Sequence, residues 1–257
     1  MQQDIITGAP KLAAIPMAIS AETLEDNRIV GFESHDERAR SFNLLRSQIM
    51  RWMEGRPPQL LALTSATPAA GKTFIALNLA AAISELTGRA ALLCDLDLRR
   101  GSVMKTLDTS VSTDVSAYLR GEIADWREAI HRVEGTDLYI LPCISALKRS
   151  SALLTTERFE RLMADLRALP EEMVVICDLP PVFASDDALL TAKHVDQYLM
   201  VVEHGQNTAK QVREAIALLE PTPCLGTVLN RYRGGFFDAY GYGYGDPYGI
   251  KNYGKES

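Results

Sequence analysis

The sequence predicts an α/β fold: a mostly parallel β-sheet with helices on both faces, a flexible leader before it and a Tyr/Gly-rich tail after it. Three observations predict this. From about residue 60 to residue 230, short runs that are apolar throughout alternate with longer amphipathic ones. Strands buried on both faces read as unbroken apolar runs, and crossover helices cover them. The first such run leads into "ATPAAGKT" (66–73), and two later ones, "ALLCDLD" and "MVVICDL", end in aspartate. Beyond Arg233 the composition turns abruptly to glycine and tyrosine, where regular structure is not expected.

The elements follow in order. Residues 1–34 have weak periodicity and several turn-formers, and read as a mobile leader. The folded domain is expected over 35–232. From Asp36 to Met53, Phe42, Leu45, Ile49 and Trp52 recur at three- and four-residue steps, an amphipathic helix that "EGRPP" stops. "LLALTSA", "AALLCDLD", "LYILP", "MVVICDL", "QYLMVV" and "LGTVLN" read as strands. Between them "TFIALNLAAAISEL", segments near 114–132, "TTERFERLMADLRAL", "DDALLTAK" and "TAKQVREAIALLE" read as helices. Residues 233–257 form the tail.

Composition narrows the function. The 257 residues are 47% apolar and 23% charged, ordinary globular values. No apolar run approaches the roughly 18–20 residues of a membrane span, and the N-terminus lacks the pattern of a secretory signal, so a cytoplasmic protein is expected. A net charge of -6 argues against a general nucleic-acid binder. Cys94, Cys143, Cys177 and Cys224 have no metal-ligand spacing and read as free thiols. The four histidines are scattered and form no metal signature.

"ATPAAGKT" has the P-loop spacing, with Ala66 where the first glycine is usual. It follows a strand and opens a helix, so the backbone of Ala70, Gly71, Lys72, Thr73 and Phe74 can face a phosphate. Lys72 would reach the β- and γ-phosphates of ATP, and the Thr73 hydroxyl would ligate Mg2+. Asp95, Asp97 and Asp178 end strands at the sheet edge where ligands bind. They can surround a nucleotide-bound metal or activate a nucleophile, although each alone could simply cap the next helix.

Together "ATPAAGKT", "ALLCDLDLRR", "VVICDLPPV" and the Tyr-rich end resemble the bacterial tyrosine kinases (BY-kinases) of capsule and exopolysaccharide synthesis, in their stand-alone cytoplasmic form. The resemblance covers roughly residues 36–257. It implies Walker A, A′ and Walker B motifs of a deviant Walker ATPase. Lys72 and Thr73 would then bind ATP-Mg2+, Asp178 would support the metal, and Asp95 and Asp97 would share metal binding and activation of a tyrosine hydroxyl. "GTVLNRYR" resembles the segment whose asparagine reads adenine, which makes Asn230 a candidate base reader beside its reading as a turn-former. The resemblance also implies a separate membrane-bound polysaccharide co-polymerase as activator, peripheral attachment to the inner membrane through it, a cognate phosphatase and a homo-oligomer. In the first helix Arg40, Asn43 and Arg46 stand where the family carries its Glu-x-x-Arg-x-x-Arg subunit contact.

The tail holds five of nine tyrosines, Tyr240, Tyr242, Tyr244, Tyr248 and Tyr253, spaced largely by glycines. A mobile tail can present each hydroxyl to an open site, so these are the expected phosphoacceptors. Two alternatives stand beside the kinase. One is a partition or Min-type positioning ATPase, which would place a lysine where Thr67 stands. The other is a nucleotide-binding scaffold without phosphoryl transfer.

Overall fold

The computed structural model describes residues 8–56, 60–144 and 146–232. The strands are β1 (Ile15–Met17), β2 (Leu60–Ser65), β3 (Ala90–Asp95), β4 (His131–Val133), β5 (Leu138–Leu141), β6 (Met173–Asp178), β7 (Gln197–Glu203) and β8 (Cys224–Asn230). The helices are α1 (Ala21–Asp26), α2 (Arg40–Met53), α3 (Lys72–Ser84), α4 (Val103–Thr106), α5 (Val115–Arg120), α6 (Ser150–Leu153), α7 (Glu157–Arg167), α8 (Asp187–Ala192) and α9 (Ala209–Leu218). Short 3₁₀ turns cover Glu37–Ala39 and Trp126–Ala129.

The strands make one sheet in the order β1-β4-β5-β3-β6-β2-β7-β8. Every pairing is parallel except β4 with β5. Alternate residues serve opposite faces. Leu60 and Ala62 join a core with Tyr118, Trp126, Phe159 and Leu166, while Leu61 and Leu63 join one with Phe42, Ile75 and Leu79. The apolar strands therefore read as continuous because both faces are covered. Helix α3 is itself central, with 11 of its 13 residues buried, and its Ala80–Ala81–Ala82 run lets neighbours approach closely.

The mobile leader expected over 1–34 is not what residues 8–34 form. β1 pairs with β4, Ile15 opposite His131 and Met17 opposite Val133. Farther on, the Val30 and Gly31 N–H groups donate to Asn78 Oδ1 on α3 at 2.8 and 3.0 Å. A Cβ on Gly31 would stand 2.2 Å from the Asn78 carbonyl oxygen, so the close approach requires glycine. A three-residue strand and a side chain 47 positions away leave no periodic signal. The helical reading near 114–132 also ends early, since His131–Val133 is strand β4.

At the sheet edge, the Ile15 N–H and the Met17 carbonyl bond towards β4. The residue between them, whose backbone points outward, is Pro16, which has no N–H. Cys94, Cys143 and Cys177 are buried free thiols and Cys224 is half-buried. His131 is buried with Nδ1 at 3.0 Å from the Ala129 carbonyl, and His194 packs edge-on against Phe159. Tyr240, Tyr242, Tyr244, Tyr248 and Tyr253 lie outside the described residues.

Candidate active site

The carboxyl ends of β2, β3 and β6 meet in the middle of the sheet, β2 and β3 each pairing with β6. Residues 66–71 leave β2 and enter α3, whose N-cap is Gly71 at φ 91°. A Cβ on Gly71 would lie 2.1 Å from Asn230 Nδ2, so both the backbone angle and the space demand glycine. Ala66, where a glycine is usual, is not a positive-φ residue and is buried, so its methyl is accommodated. The strain sits at Ala69 instead, at φ 66°.

Asp178, at the end of β6, is fully buried. Its Oδ2 accepts from Thr73 Oγ1 at 2.5 Å, and its Oδ1 has no hydrogen-bond partner. Burial pushes its carboxyl up to about 6, opposed by the Lys72 ammonium and the Thr73 bond. A buried carboxylate oxygen without a donor is costly, and a cation would satisfy it. No cluster of three His, Cys, Asp or Glu ligands exists among the described residues. One hydroxyl and one carboxylate suit Mg2+ that keeps waters and nucleotide phosphates as its other ligands. The residues present therefore fit the metal.

Asp95 and Asp97 follow β3. Asp95 is wholly buried and accepts from the backbone N–H of Asp97 at 3.2 Å and of Val103 at 3.0 Å. It thereby shapes the loop and caps α4 while its carboxyl is driven well above the usual range by burial and then by Asp178. Asp97 is 3% exposed. Burial raises its carboxyl too, and Lys72 and the N–H groups of Arg100 and Arg99 pull it back. Lys72 is buried in the site, where its side chain acts on the carboxyls of Asp97 and Asp178.

Asn230 Nδ2 donates to the Ala70 carbonyl at 2.8 Å, and its Oδ1 accepts from the Arg231 N–H at 2.9 Å. The end of β8 is thus fastened to the phosphate loop. Phe74 packs its ring edge-on against Phe42 of α2, centroids 5.7 Å apart, so its backbone rather than its side chain belongs to the loop. Asn43 Nδ2 reaches the Ser34 carbonyl at 3.0 Å and Arg46 Nη1 the Ala82 carbonyl at 2.9 Å, both within the chain.

Sequence reasoning missed several supports. Asn207 Nδ2 donates to Thr67 Oγ1 at 2.8 Å, tying the phosphate loop to the end of β7. Arg99 Nε bonds the buried Asp187 at 3.0 Å and Ser150 Oγ at 3.1 Å, while Ser150 Oγ donates to Asp187 at 2.5 Å. This network fixes the loop after Asp97 against α6 and α8. Only the "RR" following the two aspartates and the "DD" opening α8 hinted at it.

A glycine-capped phosphate loop, a paired Thr–Asp and acidic strand ends on a parallel sheet define a P-loop nucleotide-binding protein. The comparisons narrow the class. No family model matches the chain. It is 33% identical over 205 residues to tyrosine-protein kinase wzc of Salmonella typhimurium, an alignment covering 77% of this chain and 28% of that protein. The chain thus spans under a third of the curated relative's length. Among solved structures, the chimerical protein CapA2B2 is 28% identical at TM-score 0.72, covering 88% of this chain and 96% of the other. The kinase domain of the Escherichia coli tyrosine kinase ETK is 25% identical at TM-score 0.72, covering 91% and 95%. The septum site-determining protein MinD of Pyrococcus horikoshii, complexed with Mg-ADP, is 21% identical at TM-score 0.58 over 68% of this chain and 71% of that one, a likeness of fold alone. The chain is thus similar, over most of its length, to bacterial tyrosine kinases, in the part of them that the ETK kinase domain represents.

Proposed function

We propose that this chain is an ATP-dependent protein-tyrosine autokinase that phosphorylates its own tail, Tyr240, Tyr242, Tyr244, Tyr248 and Tyr253. The observation that carries it is the Thr73–Asp178 pair beside Lys72 and Asp97, in a chain related to named tyrosine kinases. Lys72 and the α3 N-terminus hold the β- and γ-phosphates. Thr73 and Asp178 would hold Mg2+, which when bound would supply neutralisation of charge on the phosphoryl oxygens. Asp97 is the acid group that receives the tyrosine proton, because Asp95 commits both oxygens to backbone N–H groups. Asn230 steadies the loop from the base side and is the adenine contact in this reading.

Modification of all five tail tyrosines would add roughly -8 to -10 charges, enough to expel the tail from an acidic site. That change regulates association with a membrane-bound polysaccharide co-polymerase, which recruits the chain to the inner membrane and whose effect a phosphatase reverses. Among the described residues no helix is long and apolar enough to cross a membrane, so attachment runs through the partner in this reading. Subunits assemble so that tails are phosphorylated in trans.

The test is incubation of the purified protein with labelled ATP and Mg2+, with label mapped by mass spectrometry. Label on the tail that vanishes in Lys72→Met supports the kinase. Phosphate release without protein label identifies a positioning ATPase, and tight nucleotide binding with neither identifies a scaffold. The lysine such an ATPase would carry is here Thr67, whose hydroxyl is taken by Asn207.

A further inference from the structure

Four tyrosines fall within the described residues. Tyr118, Tyr139 and Tyr198 are at most 2% exposed, whereas Tyr232 is 48% exposed. Its ring packs edge-on against His204, centroids 5.1 Å apart. It sits between Arg231 and Arg233, with Gly234 and Gly235 next in the sequence. Its backbone connection matters more. Two residues earlier, Asn230 holds the Ala70 carbonyl of the phosphate loop and abuts Gly71. Between them Arg231 has φ 54°, a left-handed conformation unfavourable for arginine. It is kept there by the Asn230 side chain and by an ion pair with Glu203 Oε1 at 2.7 Å. Release of either restraint lets the backbone relax.

Resting on the kinase reading above, we propose that Tyr232 is a further phosphoacceptor outside the tail cluster, and that a phosphate there slackens the clamp of Asn230 on the phosphate loop. In the transfer the Tyr232 oxygen bonds the γ-phosphorus of ATP. The bond from that phosphorus to the β,γ-bridging oxygen breaks, ADP leaves with the electron pair, and the phenolic proton passes to a carboxylate and then to water. The new group carries about -1.5 to -2 charges and three acceptor oxygens between two arginines. Charge-assisted bonds to phosphate compete directly with the Arg231–Glu203 pair. Once Arg231 turns to the phosphate, the strained link loses a restraint and Asn230 is freed from Ala70. The modification thus lowers the chain's own affinity for nucleotide.

The first experiment uses the full chain with Tyr240, Tyr242, Tyr244, Tyr248 and Tyr253 all changed to Phe. Incubated with labelled ATP and Mg2+, it is expected to carry label on Tyr232, lost when Tyr232→Phe is added. Tyr232→Phe keeps the ring against His204 and removes the phosphoryl-accepting hydroxyl. If the unaltered chain labels its tail and the five-Phe variant carries none, Tyr232 is not an acceptor, while the kinase reading stands. If neither labels, both fall. The second experiment installs phosphotyrosine at 232 during synthesis and measures binding of fluorescent ADP. Affinity is expected to drop about five-fold, the worth of one net hydrogen bond. Equal affinity with and without the phosphate overturns the coupling.

Discussion

Thr73 Oγ1 donates to Asp178 Oδ2 across 2.5 Å, joining the first turn of α3 to the end of β6 and leaving Asp178 Oδ1 unsatisfied. A buried acid that is half satisfied is prepared for a cation. Mg2+ arriving with nucleotide would take the hydroxyl and carboxylate that now hold each other. Thr73→Val should therefore reduce phosphoryl transfer by about 100-fold or more while changing the apo melting free energy by only about 1 kcal/mol. Steady-state kinetics over a Mg2+ titration, paired with urea melts, checks both.

The pH dependence follows from the same carboxyl. Burial, first of all, pushes the Asp178 carboxyl from its ordinary 3.8 up to about 6 in the folded chain. The folded state then binds more protons than the unfolded state between those values, so stability falls as pH rises from about 4 to 6 and stays reduced above. The shift corresponds to a penalty on the order of 3 kcal/mol at pH 7. Asp178→Asn should make the metal-free protein more stable than the parent at pH 7.5, with the difference vanishing near pH 4. Chemical denaturation in EDTA at those pH values would sink the idea if the difference were flat.

Asp187 is buried, and its charge rests on Arg99 and Ser150. Removing a partner of a buried charge is costly, so Arg99→Ala should destabilise by about 2–4 kcal/mol and Ser150→Ala by about 1 kcal/mol. Because Arg99 follows Asp97 by two residues, kcat should fall further than KM rises. Urea melts and initial rates on the same preparations separate the two effects.

Gly71→Ala places a methyl against Asn230 and forces φ 91° on alanine. Nucleotide affinity should drop at least ten-fold. Adding Asn230→Ala removes the steric conflict but not the backbone strain, so recovery should be partial, as read by fluorescent-nucleotide titration.

Asn78→Ala leaves the Val30 and Gly31 N–H groups without their acceptor. A loss of about 2–3 kcal/mol is expected, and limited proteolysis should cut near residue 30 much faster in the variant than in the parent.

The phosphate loop and the acidic strand ends were legible because local order carries them: an apolar run, a small-residue loop, a helix, and aspartates at strand termini. Asp178 announced itself by following "MVVIC". The docking of residues 8–34 was not legible, because it depends on a two-bond grip by Asn78 and on a three-residue strand containing proline. Asn207 on Thr67 and Asp187 on Arg99 span 140 and 88 positions and join residue types that are ordinary at any surface. The sequence favours Asp95 as a metal or catalytic group, with helix capping as the lesser alternative, and its two backbone bonds show that capping is part of its work. Asn230 was singled out as a base contact, yet its amide on Ala70 shows a structural duty that no local pattern encodes.

Pro16 has a consequence for how copies of the chain can meet. A sheet normally offers two open margins, and here they are unequal. At β8 the strand is half-exposed over seven residues, whereas at β1 the one outward position lacks a donor and the strand is three residues long. Strand-to-strand association can begin at β8 but has no donor to continue it at β1. Pairing of strands by this route alone would close on itself after two molecules.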